Sequence, residues 1–236
     1  MSVFHFKHFQ IQQATSAMKV GTDALVLGAL LSEPNAEEVL DVGSGTGVLS
    51  LMFAQRHPLS RILALELDPA AARECALNCR NSPWSNRLAC LEANFCTWGA
   101  PRKFDLIISN PPYFQTGKGN TDDRMRLARH VAELSPEVFF RCSNAVLSAQ
   151  GKIALILPAS DEDLWQEAAR MNGFYCKKQL RVFGKREGIV KRLVLWFSRR
   201  AGDVQCEQLT IREADGCYTP EYIELTKEFH GVDLNT

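Results

Sequence analysis

At 236 residues, with 46% hydrophobic and 23% charged residues, the chain is long enough to bury one large core and too apolar to be disordered. Its 27 Lys and Arg balance 27 Asp and Glu, so the net charge draws it to neither a polyanion nor a membrane surface, and any such attraction must be local. The eight cysteines include no C-x-x-C pair and sit mostly in apolar or helical context; they are expected as reduced thiols of a cytoplasmic protein, not as a disulfide frame or a zinc site, and no apolar run approaches a membrane span.

Residues 3–11, V-F-H-F-K-H-F-Q-I, alternate imperfectly and predict a short strand or hairpin that covers an edge of the core. Met18 to Leu31 carries Thr22 and Asp23 just before an apolar helical stretch, which makes them an N-cap signal. Capping explains one of these two residues and leaves Lys19 unexplained. Glu38 to Val42 is a first strand, followed by D-V-G-S-G-T-G and a helix over Val48 to Gln55. Gly43, Gly45 and Gly47 clear the turn of side chains, so that a ligand can lie against backbone and a helix N-terminus. A dinucleotide fingerprint would need Gly or Ala where Val48 stands, and Asp41 would repel a pyrophosphate while suiting a cofactor with a cationic amino-acid end.

Arg61 to Leu67 is a second strand with Glu66 at its carboxyl end, nineteen residues beyond Gly47, where a carboxylate can accept both ribose hydroxyls. Asp68 caps the next helix, Ala70 to Asn81, with Pro69 at N1. A third strand, Arg87 to Glu92, leads to Asn94, whose amide oxygen can accept a hydrogen bond from a ligand or serve in a turn. The fourth strand, Phe104 to Ser109, ends in N-P-P-Y: two prolines that cannot donate to a ladder stop the strand at Asn110. If the Asn110 side-chain oxygen and the Pro111 carbonyl accept the hydrogens of an exocyclic NH2, with Pro112 fixing the backbone and Tyr113 offering a stacking face, the nitrogen is aimed at an electrophile without a general base. A strand-ending turn would also account for the tetrapeptide by itself.

The polar stretch that follows carries Arg124, Arg126 and Arg129, a candidate substrate-side loop or a solvated charge run. A helix from Ser135 to Ser148, a strand from Gly151 to Leu157, a helix from Asp161 to Met171, paired strands Phe174 to Phe183 and Val190 to Ser198, an edge strand within Cys206 to Arg212 and a helix from Pro220 to Phe229 complete the chain. From Lys177 to Arg200 nine Lys or Arg stand against one acid, Glu187, and Lys185, Arg186, Lys191 and Arg192 are candidate contacts to a polyanion's backbone or part of a solubilising surface.

With the glycine motif, Glu66 and N-P-P-Y in this order, the chain resembles class I amino-methyltransferases. More narrowly, M-K-V-G-T-D at Met18, S-P-W-S-N-R at Ser82, F-D-L-I-I-S-N-P-P-Y-F at Phe104 and R-M-R-L-A-R-H at Arg124 resemble the bacterial tRNA1(Val) (adenine-37-N6)-methyltransferases. The resemblance implies an α/β Rossmann-like class I methyltransferase fold, a mostly parallel seven-stranded sheet with an antiparallel C-terminal hairpin, in one domain over residues 1–236. Within it, 1–35 would be flap and helix, 36–200 the core and 201–236 an extension. It implies S-adenosyl-L-methionine as cofactor, held by Asp41, Gly43, Gly45, Gly47, Glu66, Asn94 and Asn110, with Lys19, Thr22 and Asp23 on the cofactor side or at the entrance. It further implies tRNA as partner, no metal, no membrane, and a monomer. A protein glutamine N5-methyltransferase or a DNA adenine methyltransferase would use the same acceptors, and a cofactor-binding module without chemistry is a third reading.

Overall fold

The computed structural model describes residues 2–14, 19–112, 134–231 and 234. A two-stranded antiparallel hairpin, β1 (Val3–His5) and β2 (Gln10–Gln12), precedes helix α1 (Thr22–Leu30). The core then runs β3 (Glu38–Val42), α2 (Val48–Arg56), β4 (Arg61–Glu66), α3 (Pro69–Arg80), β5 (Leu88–Glu92), β6 (Phe104–Ser109), α4 (Pro136–Val146), β7 (Leu147–Pro158), α5 (Glu162–Met171), β8 (Tyr175–Phe183) and β9 (Val190–Ser198). Strand β10 (Gln205–Thr210) and helix α6 (Pro220–Thr226) follow.

Among the described residues the main sheet has eight strands in the order β10-β8-β9-β7-β6-β3-β4-β5, with β9 antiparallel to both its neighbours and every other pairing parallel. The Rossmann-like frame expected from the sequence is therefore present. The anticipated edge strand pairs in full with β8 and adds an eighth member. Right-handed crossovers put α2 and α3 on one face and, after the order reverses at β6, α4 and α5 on the other. The first face buries Leu27, Met52, Phe53, Cys75 and Tyr222, and the second buries Phe139, Phe140, Trp165 and Phe197.

Local chemistry sets most element ends. Asp68 Oδ1 accepts from the backbone N–H of Ala70 and Ala71 at 3.0 and 2.9 Å, and Pro69 occupies N1. Ser135 caps α4 through the N–H of Val138. Two boundaries differ from expectation. Helix α1 starts earlier than the expected cap, with Gly21 at the N-cap and no side-chain cap bond, so Thr22 and Asp23 lie inside its first turn; the acid there still meets the positive end of the helix. Strand β7 starts at Leu147 without an intervening loop, because Leu147 pairs with Phe104 across a bulge in the β6 ladder, and this pairing draws residues expected in the helix into the sheet.

The N-terminal hairpin lies on the core through its aromatics: Phe6 stacks on Phe9 at 4.2 Å and Phe9 meets the edge of Trp84 at 5.6 Å. Both phenylalanines are buried, which fits a cover for the core edge. The S-P-W-S-N-R segment has a structural use, since Arg87 donates to the carbonyls of His57 (2.9 Å), Ser60 (3.0 Å) and Ala54 around the end of α2. All eight cysteines are free thiols. Among the described residues no helix is long and apolar enough to cross a membrane, and no cluster of three His, Cys, Asp or Glu is placed to hold a metal ion.

Candidate active site

The carboxyl ends of the parallel strands share one edge of the sheet, and strand registers order the candidate residues along it. Asp41 is level with Ile108 and Val42 with Leu65, so Gly43 follows β3 directly beside Asn110, which follows β6. The Ser109 hydroxyl donates to the Val42 carbonyl at 2.7 Å and fixes that alignment from a fully buried position. Glu66 is level with Glu92, so Asn94 lies just past the next strand end. Asn94, Glu66, Gly43 and Asn110 thus span three strand spacings, about 14 Å, across the point where the strand order reverses.

The glycine loop is held by its own backbone. The N–H groups of Gly43 and Ser44 both donate to the Leu65 carbonyl, at 2.9 and 3.0 Å, and Gly45 N–H donates to Glu66 Oε2 at 2.7 Å. Gly43, Gly45 and Gly47 all have positive φ, at 69°, 55° and 80°, conformations that L side chains rarely adopt. A Cβ on Gly43 or Gly45 would meet nothing within 4 Å among the described residues, whereas one on Gly47 would strike Cys75 Sγ at 2.7 Å. The first two glycines therefore face open space fit for a ligand, and the third permits close packing of the loop on α3.

Asp41 is fully buried beneath this loop. Its Oδ2 accepts from the N–H and the hydroxyl of Ser50, at 3.1 and 2.7 Å, tying β3 to the first turn of α2. Burial pushes its carboxyl up to about 7 against the lowering effect of the Ser50 bonds. Its Oδ1 has no hydrogen-bond partner among the described residues, so a cationic group placed over the loop would find an uncompensated acceptor beneath it.

Glu66 is nearly buried at 7% exposure, with Oε1 accepting from Asp68 N–H at 2.9 Å and Oε2 from Gly45. Each oxygen keeps a lone pair for a hydroxyl donor. Asn94 Oδ1 accepts from Cys96 N–H at 2.8 Å, an Asx turn that leaves one further acceptor site on the oxygen. Asn110 is partly buried, and its Oδ1 is buried with no hydrogen-bond partner among the described residues. Pro111 is buried behind it and Pro112 is half-buried. An amide oxygen held out of water at a strand end, beside an open backbone cradle, is placed to receive a donor. Tyr113, Arg124, Arg126 and Arg129 lie outside the described residues.

The remaining candidates serve other partners. Lys19 donates to the carbonyls of Gln13 and Ala14 (3.3 Å for the latter), binding the N-terminal segment to itself. Asp23 Oδ2 pairs with Arg192 Nε at 2.7 Å, joining a residue expected near the cofactor to one expected on RNA. With Thr22 these two line a cleft on the far side of Asn110 from the glycine loop. The basic run divides between two ends of the sheet. Lys185 and Arg186 in the β8–β9 turn, with Lys191 and Arg192 at the start of β9, stand at the carboxyl edge, whereas Lys177 and Arg200 belong to the opposite edge. Arg186 is clamped by Glu213, with Nη2 to Oε1 at 2.6 Å.

Three site residues carry no clear signal in the sequence. Ser109 is one. Asn78 on α3, 2% exposed, accepts from Gln12 N–H at 2.8 Å and donates to the carbonyls of Gln12 and Thr46, both at 2.9 Å, so one side chain joins the hairpin to the glycine loop. Glu74, one turn earlier, accepts from Ala14 N–H at 2.6 Å. The only hint is a pair of polar residues at i and i+4 on the cysteine-bearing apolar face of α3.

A family model described as the methyltransferase small domain matches residues 13–157. A tRNA1(Val) (adenine(37)-N6)-methyltransferase of Tolumonas auensis is 40% identical over 96% of both chains. One of the same name from Haemophilus influenzae is 38% identical over 98% of this chain and 99% of its own, and another from Vibrio parahaemolyticus is 34% identical over 96% and 95%. Among solved structures, a predicted O-methyltransferase of Agrobacterium tumefaciens superposes with a TM-score of 0.68 at 18% identity, covering 88% of this chain and 96% of that one, a likeness of fold. The frame, the glycine cradle beside Asn110 and these relatives agree: the chain belongs to the methyltransferase small domain family, among the tRNA1(Val) (adenine(37)-N6)-methyltransferases.

Proposed function

We propose that this chain methylates N6 of an adenine in tRNA, position 37 beside the anticodon, with S-adenosyl-L-methionine as methyl donor. The observation that carries the reading is the buried Oδ1 of Asn110, without a partner among the described residues, next to the open glycine cradle. The donor supplies an electrophilic methyl group on a sulfonium. Everything else is positioning by the chain. Gly43 and Gly45 present bare backbone to the donor, the spare lone pairs of Glu66 take its ribose hydroxyls, and Asn94 takes the amino group of its adenine. A cation over the loop favours the ionised form of Asp41, whose carboxyl is otherwise pushed up to about 7 by burial, whereas a pyrophosphate would be opposed by that form.

At the acceptor end the target nitrogen is a poor nucleophile because its lone pair is delocalised into the ring. Asn110 Oδ1 takes one of its hydrogens and the Pro111 carbonyl the other, while the rigid Pro111–Pro112 backbone keeps the two acceptors in register. As the nitrogen becomes positive these bonds strengthen, so they favour the transition state over the ground state. Tyr113 would stack on the extruded base. A glutamine amide satisfies the same acceptors; the shared name of the relatives weighs toward adenine. The test is methyl transfer from labelled donor to total tRNA, total protein and DNA, followed by nucleoside analysis of the product. Label in tRNA as N6-methyladenosine at position 37 is expected; label in protein or DNA alone would overturn the proposal.

A further inference from the structure

On the carboxyl edge, beyond Asn110, a cleft of about 310 Å³ opens between the start of α1 and the ends of β7, β8 and β10. Its floor is apolar, formed by Val26, Ile156, Val182 and Ile211, and its rim carries Lys191 and Arg212. We propose that this cleft holds the base of a nucleotide adjacent to the methylated adenine, with that nucleotide's phosphate at Lys191 and Arg212. The inference rests on the proposed tRNA activity and adds a second base-binding subsite to it.

Position is the first argument. Ser109 pairs with Leu155, so Asn110, just past the end of β6, stands level with Ile156, two residues before the end of β7, about one strand spacing or ~4.8 Å apart in the backbone. The alternation that sends Leu106 and Ile108 into one core face, with Ala154 and Ile156, carries Asn110 to that same face. A base leaving the Asn110 subsite toward its chain neighbour therefore meets this cleft, while the glycine loop lies in the opposite direction along the edge.

Size and chemistry are the second. The volume is at the lower bound for small-ligand sites and suits one planar ring. Apolar walls bind any base through its face, and cations on the rim complement the phosphate. Arg192 is kept at the rim by its 2.7 Å pair with Asp23, and Arg212 lies over the Tyr218 ring at 4.1 Å with a bond to the Gly216 carbonyl at 2.6 Å. Both guanidinium groups are thus positioned before RNA arrives, which lowers the ordering cost of binding.

Gly184 on the cleft wall offers a clean probe, since a Cβ there would meet only Lys191 Cγ at an ordinary 3.7 Å. Gly184→Phe fills the cleft, and Gly184→Ala is its control. The substrates are the intact tRNA and two versions with an abasic nucleotide immediately 5′ or 3′ of the target. Wild-type kcat/KM is expected to fall at least about tenfold on one abasic tRNA, in line with the value of a stacked base. Gly184→Phe should lose a similar factor on intact tRNA and little more on that abasic tRNA, with unchanged affinity for S-adenosylhomocysteine; Gly184→Ala should stay within about twofold. If neither abasic tRNA is impaired with the wild type, no neighbouring base is held and the inference fails whatever the variants do. It fails equally if the two losses simply multiply. A wild-type protein that methylates no tRNA at all would instead overturn the function on which the subsite rests.

Discussion

Over β3 and β4 the carboxyl edge is wired into the fold: Glu66 takes the N–H of Gly45, Asp41 takes Ser50, and Asn78 takes the Thr46 carbonyl while gripping the N-terminal hairpin. Over β8, β9 and β10 the same edge presents side chains instead, with Lys185 and Lys191 in solvent, Arg186 clamped to Glu213 and Arg192 to Asp23 around an apolar cleft. A small cofactor has one shape, and a preorganised backbone cradle matches it with no reorganisation at the moment of reaction. A nucleic acid is large, flexible and uniformly charged, so long cationic side chains over an adaptable apolar surface serve it better. Substitutions on the first side should therefore act on cofactor affinity and stability, and those on the second on RNA affinity, with Asn110 at the boundary acting on rate.

The largest effect that would break this division is a pH effect on the wired side. Asp41 has a folded-state pKa raised from 3.8 to about 7 by burial. The folded state therefore holds a proton that the unfolded state has lost between those values, so this residue's contribution to stability is complete below about pH 4 and declines as pH rises through 7. Its slope is up to about 1.4 kcal/mol per pH unit in that window. Chemical denaturation of Asp41→Asn against wild type should show that slope removed. Parallel stability curves for the two proteins would mean that Asp41 ionises in the folded state much as it does in the unfolded one.

Asn110→Ala comes next, at roughly 2.7 to 4 kcal/mol by analogy with the loss of one oxyanion-hole donor, about a hundredfold to a thousandfold in kcat. Binding of S-adenosylhomocysteine and tRNA should survive. Single-turnover methylation reads this directly, and a wild-type rate from a folded Asn110→Ala protein would reduce N-P-P to a strand-ending turn.

Glu66→Ala should weaken S-adenosylhomocysteine by about 1.5 to 3 kcal/mol for each charge-assisted bond removed, less whatever water restores. It also strands the N–H groups of Gly45 and Asp68, so calorimetry should show the loss of affinity together with a lower melting temperature. Affinity that held while the protein destabilised would leave Glu66 as a brace for the loop and no more.

Reversing Lys185 and Lys191 to Glu is the mildest test and the sharpest for the other side. Neither is in an ion pair among the described residues, so each is available to a phosphate. RNA KM should rise about tenfold and the salt slope of binding should fall by about one for each phosphate no longer neutralised, with cofactor affinity constant. The matching change at Lys177 and Arg200, on the opposite edge of the sheet, should do neither.

Local pattern determined much of this protein. The apolar runs at Glu38–Val42, Phe104–Ser109 and Val190–Ser198 became strands with the expected limits, because each is bounded by glycine, proline or a polar turn that ends a ladder. The Asp68 and Ser135 caps were legible for the same reason, since a cap is satisfied within three residues of itself. The three-glycine loop and Asn110 could likewise be proposed as site residues from what their own side chains, or lack of them, permit. What tertiary structure decided was adjacency. Only the strand order sets Gly43 beside Asn110, and only the fold brings Asp23 to Arg192, Asn78 to Gln12 and Glu66 to Gly45, pairs separated by 169, 66 and 21 residues. Closing such loops depends on the summed burial of a whole sheet and its helices, a long-range free energy that no short window of residues encodes.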